Sequence, residues 1–308
     1  MSVQNGPIVV SASRRTDIPA FYMDWFMEQI GNWFFKVVNP YNGSISQIPA
    51  APDDVHTIVF WSKNFGPFLR GRFGETLQGM GYHLFFNFTL NSSQPLLEPE
   101  MPPLGFRLDQ MDELSRRFDP KTIQWRFDPI CFFQTGEGMI QNNLGDFQVI
   151  TNRAAQAGIL RCITSFMDDY PKIRKRINEL RLGGFTFIEV SFERKLAILL
   201  EMERELSDRG ISLFTCCEKE LLEALPVHPR ITKSSCIPNE LLMHLFGGEL
   251  SLRRDPGQRT KQGCGCNIST DVGSYRLHPC FHNCLFCYAN PAGSSSLNQS
   301  LPTRRLIS

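Results

Sequence analysis

Residues 145–165 read GDFQVITNRAAQAGILRCITS. Apolar residues spaced three and four apart predict a helix over Gly145 to Ala157. Gly158 stands where that helix must end, since glycine tolerates the left-handed conformation of a C-terminal cap. Ile159 to Ser165 then runs β-branched and apolar with little alternation, as a strand covered on both faces does. Helix, glycine stop and buried strand together form the repeating unit of a parallel α/β sheet.

The same punctuation recurs along most of the chain. Strands are predicted at Ile8 to Ala12, Phe35 to Asn39, Thr57 to Trp61, His83 to Thr89, Thr122 to Phe127, Phe185 to Val190 and Ser212 to Cys216. Helices are predicted at Tyr22 to Trp33, Phe65 to Met80, Leu108 to Phe118, Tyr170 to Arg181 and Leu196 to Arg209, with Gly184 and Gly210 as further stops. Seven or eight such units favour an α/β fold of the (β/α) TIM-like barrel type, complete or lacking a unit. An open doubly wound sheet is the alternative, although no G-x-G-x-x-G turn marks a dinucleotide fold.

After Cys217 the pattern changes. Glu218 to Leu225 and Asn239 to Leu245 read as short helices between Pro226, Pro229 and Pro238, and turn residues and cysteines dominate from Ser251. The expected organisation is a barrel over residues 1–217, a cysteine-rich cap packed on it over 218–291, and a flexible tail over 292–308.

Composition narrows the function. In 308 residues, 42% are hydrophobic and the formal charge is +1, so nothing pushes the whole molecule toward nucleic acid or an anionic membrane. Apolar runs such as Leu84 to Phe88 are too short to span a bilayer, and no signal peptide is visible at the start. The expected location is the cytoplasm, where clustered cysteines read as metal ligands and not as disulfides.

Five of the ten cysteines fall between residues 264 and 287. Cys280, Cys284 and Cys287 have the spacing C-x3-C-x2-C, which can put three thiolates on one [4Fe–4S] cluster and leave one iron without protein sulfur. Structural zinc is the competing reading: Cys264-x-Cys266 would complete four ligands, and His278 and His282 lie close by. Cys264, Cys266, Cys217 and Cys236 could form a second four-thiolate site for an auxiliary cluster or zinc, unless Cys216 or Cys217 is only a buried strand residue. Cys131 and Cys162 sit alone in apolar strands and read as core.

With Phe286 before its third cysteine, the triplet resembles the signature of radical S-adenosylmethionine (SAM) enzymes, and Cys287-Tyr288 resembles the spore photoproduct lyase branch. That resemblance implies Cys280, Cys284 and Cys287 as cluster ligands, with Phe286, Tyr288 and Asn290 near SAM. It also implies a flavodoxin- or ferredoxin-like reductant and radical chemistry on a small-molecule substrate. Two alternatives are a nucleic-acid lyase or repair enzyme, and a non-catalytic zinc or iron–sulfur protein serving structure or electron transfer. The triplet follows the last predicted strand instead of the first, so the chain must fold back over the strands' C-terminal ends to use it. Gly247-Gly248-Glu249 matches a SAM-amine motif in letters but reads as a helix C-cap.

The chain as a whole resembles bacterial family of unknown function 1848. The likeness runs through Ser11-Ala-Ser-Arg14-Arg15-Thr-Asp17-Ile-Pro, Trp61-Ser-Lys63-Asn64, Arg126-Phe-Asp128-Pro, Cys216-Cys217-Glu218, Cys236, Arg259 to Cys266, Asp271-Val-Gly-Ser-Tyr275 and the triplet. The family label implies no particular reaction.

Charged residues cluster where strands are predicted to end, which is the catalytic rim of a barrel. Arg14 and Asp17 follow the first strand, Lys63 the third, Arg126 and Asp128 the fifth, and Glu218 the last. These six are the candidate catalytic residues: an arginine could grip a carboxylate or phosphate, and Lys63 could supply a charge or a proton. Structural ion pairs such as Arg126–Asp128 or Arg15–Asp17 are the competing reading, and Trp61 reads as packing.

Overall fold

The computed structural model describes residues 6–38, 43–180, 184–225, 230–287 and 289. Eight strands make the main sheet: β1 (Ile8–Ala12), β2 (Val55–Ser62), β3 (Leu84–Thr89), β4 (Ile123–Ile130), β5 (Arg161–Phe166), β6 (Ser212–Thr215), β7 (Thr232–Lys233) and β8 (Thr270–Asp271). Their spatial order is β8-β1-β2-β3-β4-β5-β6-β7, and every pairing is parallel. Strand order thus follows chain order, with the final strand laid beside the first. The sheet ends at the two-residue strands β7 and β8, and among the described residues no ladder joins them. The two-residue strands both come from the region after residue 217.

The two faces of the sheet have different coverings. Val10, Ala12, Ile58, Phe60, Phe86, Phe88, Trp125 and Phe127 point into a core shared with helix residues Phe26, Phe68, Leu114, Ile150 and Leu199. Their sheet neighbours one position away, Val9, Val59, Phe85 and Ile163, pack instead against Ile237, Leu242, Cys236, Cys264 and Cys266. Period-two alternation therefore sends one set to the helices and the other to the C-terminal region. Both sets are apolar, which is why these strands read as continuous hydrophobic runs.

Several elements differ from expectation for local reasons. Phe34–Val38 pairs antiparallel with Ile45–Pro49 as a separate ribbon outside the main sheet. Phe185–Phe187 likewise leaves the main sheet and pairs antiparallel with Phe132–Thr135, which also pairs with Gln141–Asn142. The helix expected from Phe65 to Met80 is broken into Gly66–Arg70 and Phe73–Gly79, with Arg72 between them at φ 52°. Gly158, Gly184, Gly210 and Gly247 all have φ near +75°, and Gly247 directly caps Asn239–Phe246. The SAM-amine lettering at Gly247 is thus a helix stop. All ten cysteines are free thiols. Among the described residues, no helix is long and apolar enough to cross a membrane.

Candidate metal centre

The triplet loop folds back onto the C-terminal ends of the parallel strands. Asp17, just past β1, is its main tether. Its Oδ2 accepts from His282 Nε2 at 2.8 Å and from the Lys63 backbone N–H past β2 at 2.9 Å. Its Oδ1 accepts from Ala20 N at 3.0 Å, capping the short helix Ile18–Phe21. One carboxylate therefore joins two strand ends to the C-x3-C turn.

Other contacts hold the loop at both flanks. Tyr22 Oη donates to Pro279 O at 2.6 Å, and Leu285 N donates to Leu97 O at 2.8 Å. The Arg176 guanidinium donates to the carbonyls of Cys284, Leu285 and Cys287 at 3.2, 2.6 and 2.8 Å. Asn283 turns the chain at φ 54°, a left-handed conformation that asparagine tolerates better than most residues. Beneath the loop, Cys284, Leu285 and Phe286 pack on Cys131, Phe133 and Phe185. The strand that leaves the main sheet thus becomes the floor of the triplet.

Cys280 and Cys284 are buried and Cys287 is half-buried. The three sulfurs lie within electrostatic range of one another. Burial pushes all three thiols up, and Lys63 opposes the rise at each. Lys63 Nζ pairs with Glu98 Oε1 at 2.6 Å and stands 5.2 Å over the Phe286 ring. Burial works against the Lys63 charge, but Glu98 and the Cys284 sulfur more than offset it, so its pKa is raised. Cys284 Sγ in turn donates to Glu98 Oε1 at 3.8 Å.

A second group of thiols lies beyond the ends of β6 and β7. Cys216 makes a hydrogen bond with Cys217, their sulfurs 3.7 Å apart, and lies beside Cys236 and Cys264. Further links join Cys264 to Cys217 and Cys266, and Cys266 to Cys236. Cys216 is held well below the ordinary thiol range by the Cys217, Cys236 and Cys264 donors, and Cys266 by those of Cys236 and Cys264. Gly265 allows this convergence, because a Cβ there would stand 2.1 Å from the Ser234 carbonyl oxygen.

Arg14 and Arg126 belong to this second group. Their guanidinium carbons stand 5.4 and 5.3 Å from the Trp61 ring centroid, a contact worth roughly 0.5–2 kcal/mol each. Trp61 donates to Ser11 Oγ at 3.1 Å, so it is held as well as packed. Arg126 donates to Cys236 Sγ and pairs with Asp128, whose other oxygen accepts from Ser165. Burial opposes the Arg126 charge, but Asp128 and then the Cys236 and Cys216 sulfurs outweigh it. Glu218 accepts from Phe166 N at 2.8 Å, and burial pushes its carboxyl up to about 7.

The six expected rim residues are therefore divided. Asp17 and Lys63 serve the triplet loop, Arg14 and Arg126 the second thiol group, Asp128 pairs with Arg126, and Glu218 faces the β5 end. Arg15 does not pair with Asp17; it donates to Gly273 O at 2.9 Å and lies 3.9 Å from Asp271. Tyr288 and Asn290 lie outside the described residues. Sequence reasoning missed Glu98, Arg176 and Asp271. Asp271 accepts from Ser11, Ser13 and Arg14 N at 3.1, 2.8 and 2.7 Å, locking β8 on β1. His282, which the sequence offers only as a zinc ligand, is instead the partner of Asp17.

Among the described residues, no three His, Cys, Asp or Glu side chains are arranged to hold a single metal ion. Ligands of a four-iron cluster need not converge on one point, and the triplet's donor chemistry, three thiols beside Lys63 and Arg176, suits an anionic cluster.

The model of one family, described as a domain of unknown function (DUF1848), matches residues 9–289. The chain belongs to the DUF1848 family. The matched span of this DUF1848 member includes all eight cysteines of the two thiol groups. No curated protein matches it. Among solved structures, a D-allulose 3-epimerase from Methylomonas sp. is similar at 9% identity over 70% of this chain, with a TM-score of 0.26. The alignment spans about half of that enzyme, 53% of its chain.

Proposed function

We propose that this DUF1848 member is an iron–sulfur enzyme of the radical-SAM type, in which Cys280, Cys284 and Cys287 ligate a [4Fe–4S] cluster. The reading rests on one observation: the triplet loop is tied by Asp17 and His282 to the C-terminal ends of β1 and β2. Chemistry in parallel α/β folds gathers at that edge of the sheet. When bound, such a cluster supplies an electron and an open iron, the chemistry by which SAM yields a 5′-deoxyadenosyl radical.

The chain's own residues would do the rest. Asp17 and His282 fix the C-x3-C turn, and Arg176 holds three carbonyls around Cys284 to Cys287. Lys63 and Arg176 place positive charge beside thiolates that burial alone disfavours. Phe286, beneath Lys63, is read as the residue nearest the adenine. The eight parallel strands, taken in chain order, would form the wall of a barrel whose rim carries this site. The substrate is read as a small molecule, because the net charge of +1 gives no general attraction to nucleic acid. A flavodoxin- or ferredoxin-like protein would serve as reductant in the cytoplasm.

Anaerobic purification followed by iron and sulfide analysis tests the cluster. Incubation with SAM and dithionite, followed by chromatography for 5′-deoxyadenosine, tests the chemistry. A colourless protein with stoichiometric zinc at the triplet would end the proposal.

A further inference from the structure

We propose that Cys216, Cys236, Cys264 and Cys266 form a second metal centre, a four-thiolate site separate from the triplet, with Cys217 outside the ligand set. Cys236, Cys264 and Cys266 are buried in one cluster against which Cys216 packs, and the four thiols neighbour one another in a closed ring: Cys216 beside Cys236, Cys236 beside Cys266, Cys266 beside Cys264, and Cys264 beside Cys216. Cys217 neighbours Cys216, at 3.7 Å, and Cys264. The donors come from three places in the chain: the end of β6, the end of β7, and the Cys264-Gly265-Cys266 turn. Buried free thiols are common singly. A ring of four from distant segments needs a reason to converge.

The surroundings supply a second, independent observation. Four thiolates on a divalent ion, or on an oxidised four-iron cluster, carry a net charge near −2. Two guanidinium groups face the ring. Arg126 donates to Cys236 Sγ, and Arg14 lies within electrostatic range of Cys266 and Cys236. Arg14 also faces Asp255 at 3.7 Å and Ser269 at 3.2 Å, and Asp271 accepts from its backbone N–H. Its Nη2 is buried without any hydrogen-bond partner. A buried guanidinium donor left without a partner is destabilising, and an anionic metal–thiolate centre would satisfy it.

A single ion would require the side chains to turn toward one point, since among the described residues no three now converge at ion distance. The ring has the scale for that turn: sulfurs about 2.3 Å from zinc sit about 3.8 Å from one another, and the Cys216–Cys217 separation of 3.7 Å shows that thiols approach this closely here. Binding of either centre would release the thiol protons to solvent. The shared chemistry is a thiolate-bound soft metal, either zinc or an iron–sulfur cluster.

The experiment measures iron, sulfide and zinc per chain in the full-length protein purified without oxygen. The triplet variant Cys280→Ser/Cys284→Ser/Cys287→Ser should retain one centre, about one zinc or about four irons with matching sulfide. Cys236→Ser/Cys266→Ser should lose that centre and keep the triplet's iron. Cys217→Ser should keep both. A folded triplet variant without stoichiometric metal overturns the inference. So does a Cys236→Ser/Cys266→Ser protein with the wild-type metal count, which can be read even if the triplet variant does not fold. Failure of the triplet proposal looks different: the triplet variant then retains all the metal of the wild type.

Discussion

The triplet and the thiol ring both lie beyond the C-terminal ends of parallel strands, yet they are assembled in opposite ways. The triplet comes from one short loop, and its thiols face ionic partners: Asp17 across His282, Glu98 beside Cys284, and Lys63 above Phe286. The ring is gathered from segments up to 50 residues apart, Cys216 to Cys266, and its thiols face one another as well as Arg126 and Arg14. A site spelled out by local spacing needs the fold only to place it. A site made by the fold leaves little local spacing, and what holds it is backbone approach, as at Gly265. Perturbing one region should therefore spare the other.

The largest effect is expected from Cys284→Ala. It should reduce triplet iron and 5′-deoxyadenosine formation to background while the ring keeps its metal. Turnover that survives in this variant would remove the triplet from the mechanism and with it the contrast between the regions.

Next in size is Lys63→Met. It leaves Glu98, with 3% of its side chain exposed, as a buried acid without its partner. Breaking a buried pair on one side costs about 3–5 kcal/mol. Urea unfolding should show a loss of that order, and adding Glu98→Leu should recover most of it. A loss below about 1 kcal/mol for Lys63→Met would mean that the ion pair does not hold the triplet's flank.

Gly265→Ala addresses the ring. Its Cβ would meet the Ser234 carbonyl at 2.1 Å, which flexing of a side chain cannot relieve. Overpacking of this kind costs roughly 1–3 kcal/mol, and metal at the ring should fall while triplet iron is unchanged. Gly105→Ala is the matched control, because nothing lies within 4 Å of its Cβ. Equal metal contents in the two variants would sink the claim that Gly265 permits the ring.

Legibility in the sequence follows the same division. The strands that run apolar on both faces, β1 to β6, were readable because most of their residues are buried on one face or the other. β7 and β8 were not, since two residues such as Thr232–Lys233 or Thr270–Asp271 carry no periodicity and pair only because the chain returns to the sheet edges. Phe185–Phe187 had strand chemistry, but chemistry does not specify a partner, and its partner was Phe132–Thr135. The triplet was legible from spacing. Glu98 and Arg176 were not, because each acts through a tertiary contact across at least 35 residues, Glu98 with Lys63 and Arg176 with Cys284. Four of the five clustered thiols are grouped by the sequence, and Cys216, left out of that group, neighbours three of the other four.

The smallest effect concerns pH, far from both thiol groups. His56 is buried at the start of β2. Its Nδ1 lies 2.7 Å from Thr57 Oγ1 and its Nε2 2.8 Å from Gly247 O, and the charged or titratable group facing it is His83. Burial lowers the His56 pKa below its ordinary 6.5, the Gly247 carbonyl opposes that, and His83 adds to it. The folded protein therefore favours neutral imidazole, and the unfolded chain binds the extra proton first as pH falls. Stability from this residue is complete above pH 6.5 and declines as pH drops from there toward the folded-state value. The decline is at most one proton, about 1.4 kcal/mol per pH unit. Urea melts between about pH 5 and 8 should show a shallower acid slope for His56→Gln than for the wild type, with the metal content of both thiol groups unchanged. Identical slopes would show that the pairing of His56 with the Gly247 cap contributes nothing to the acid sensitivity of the fold.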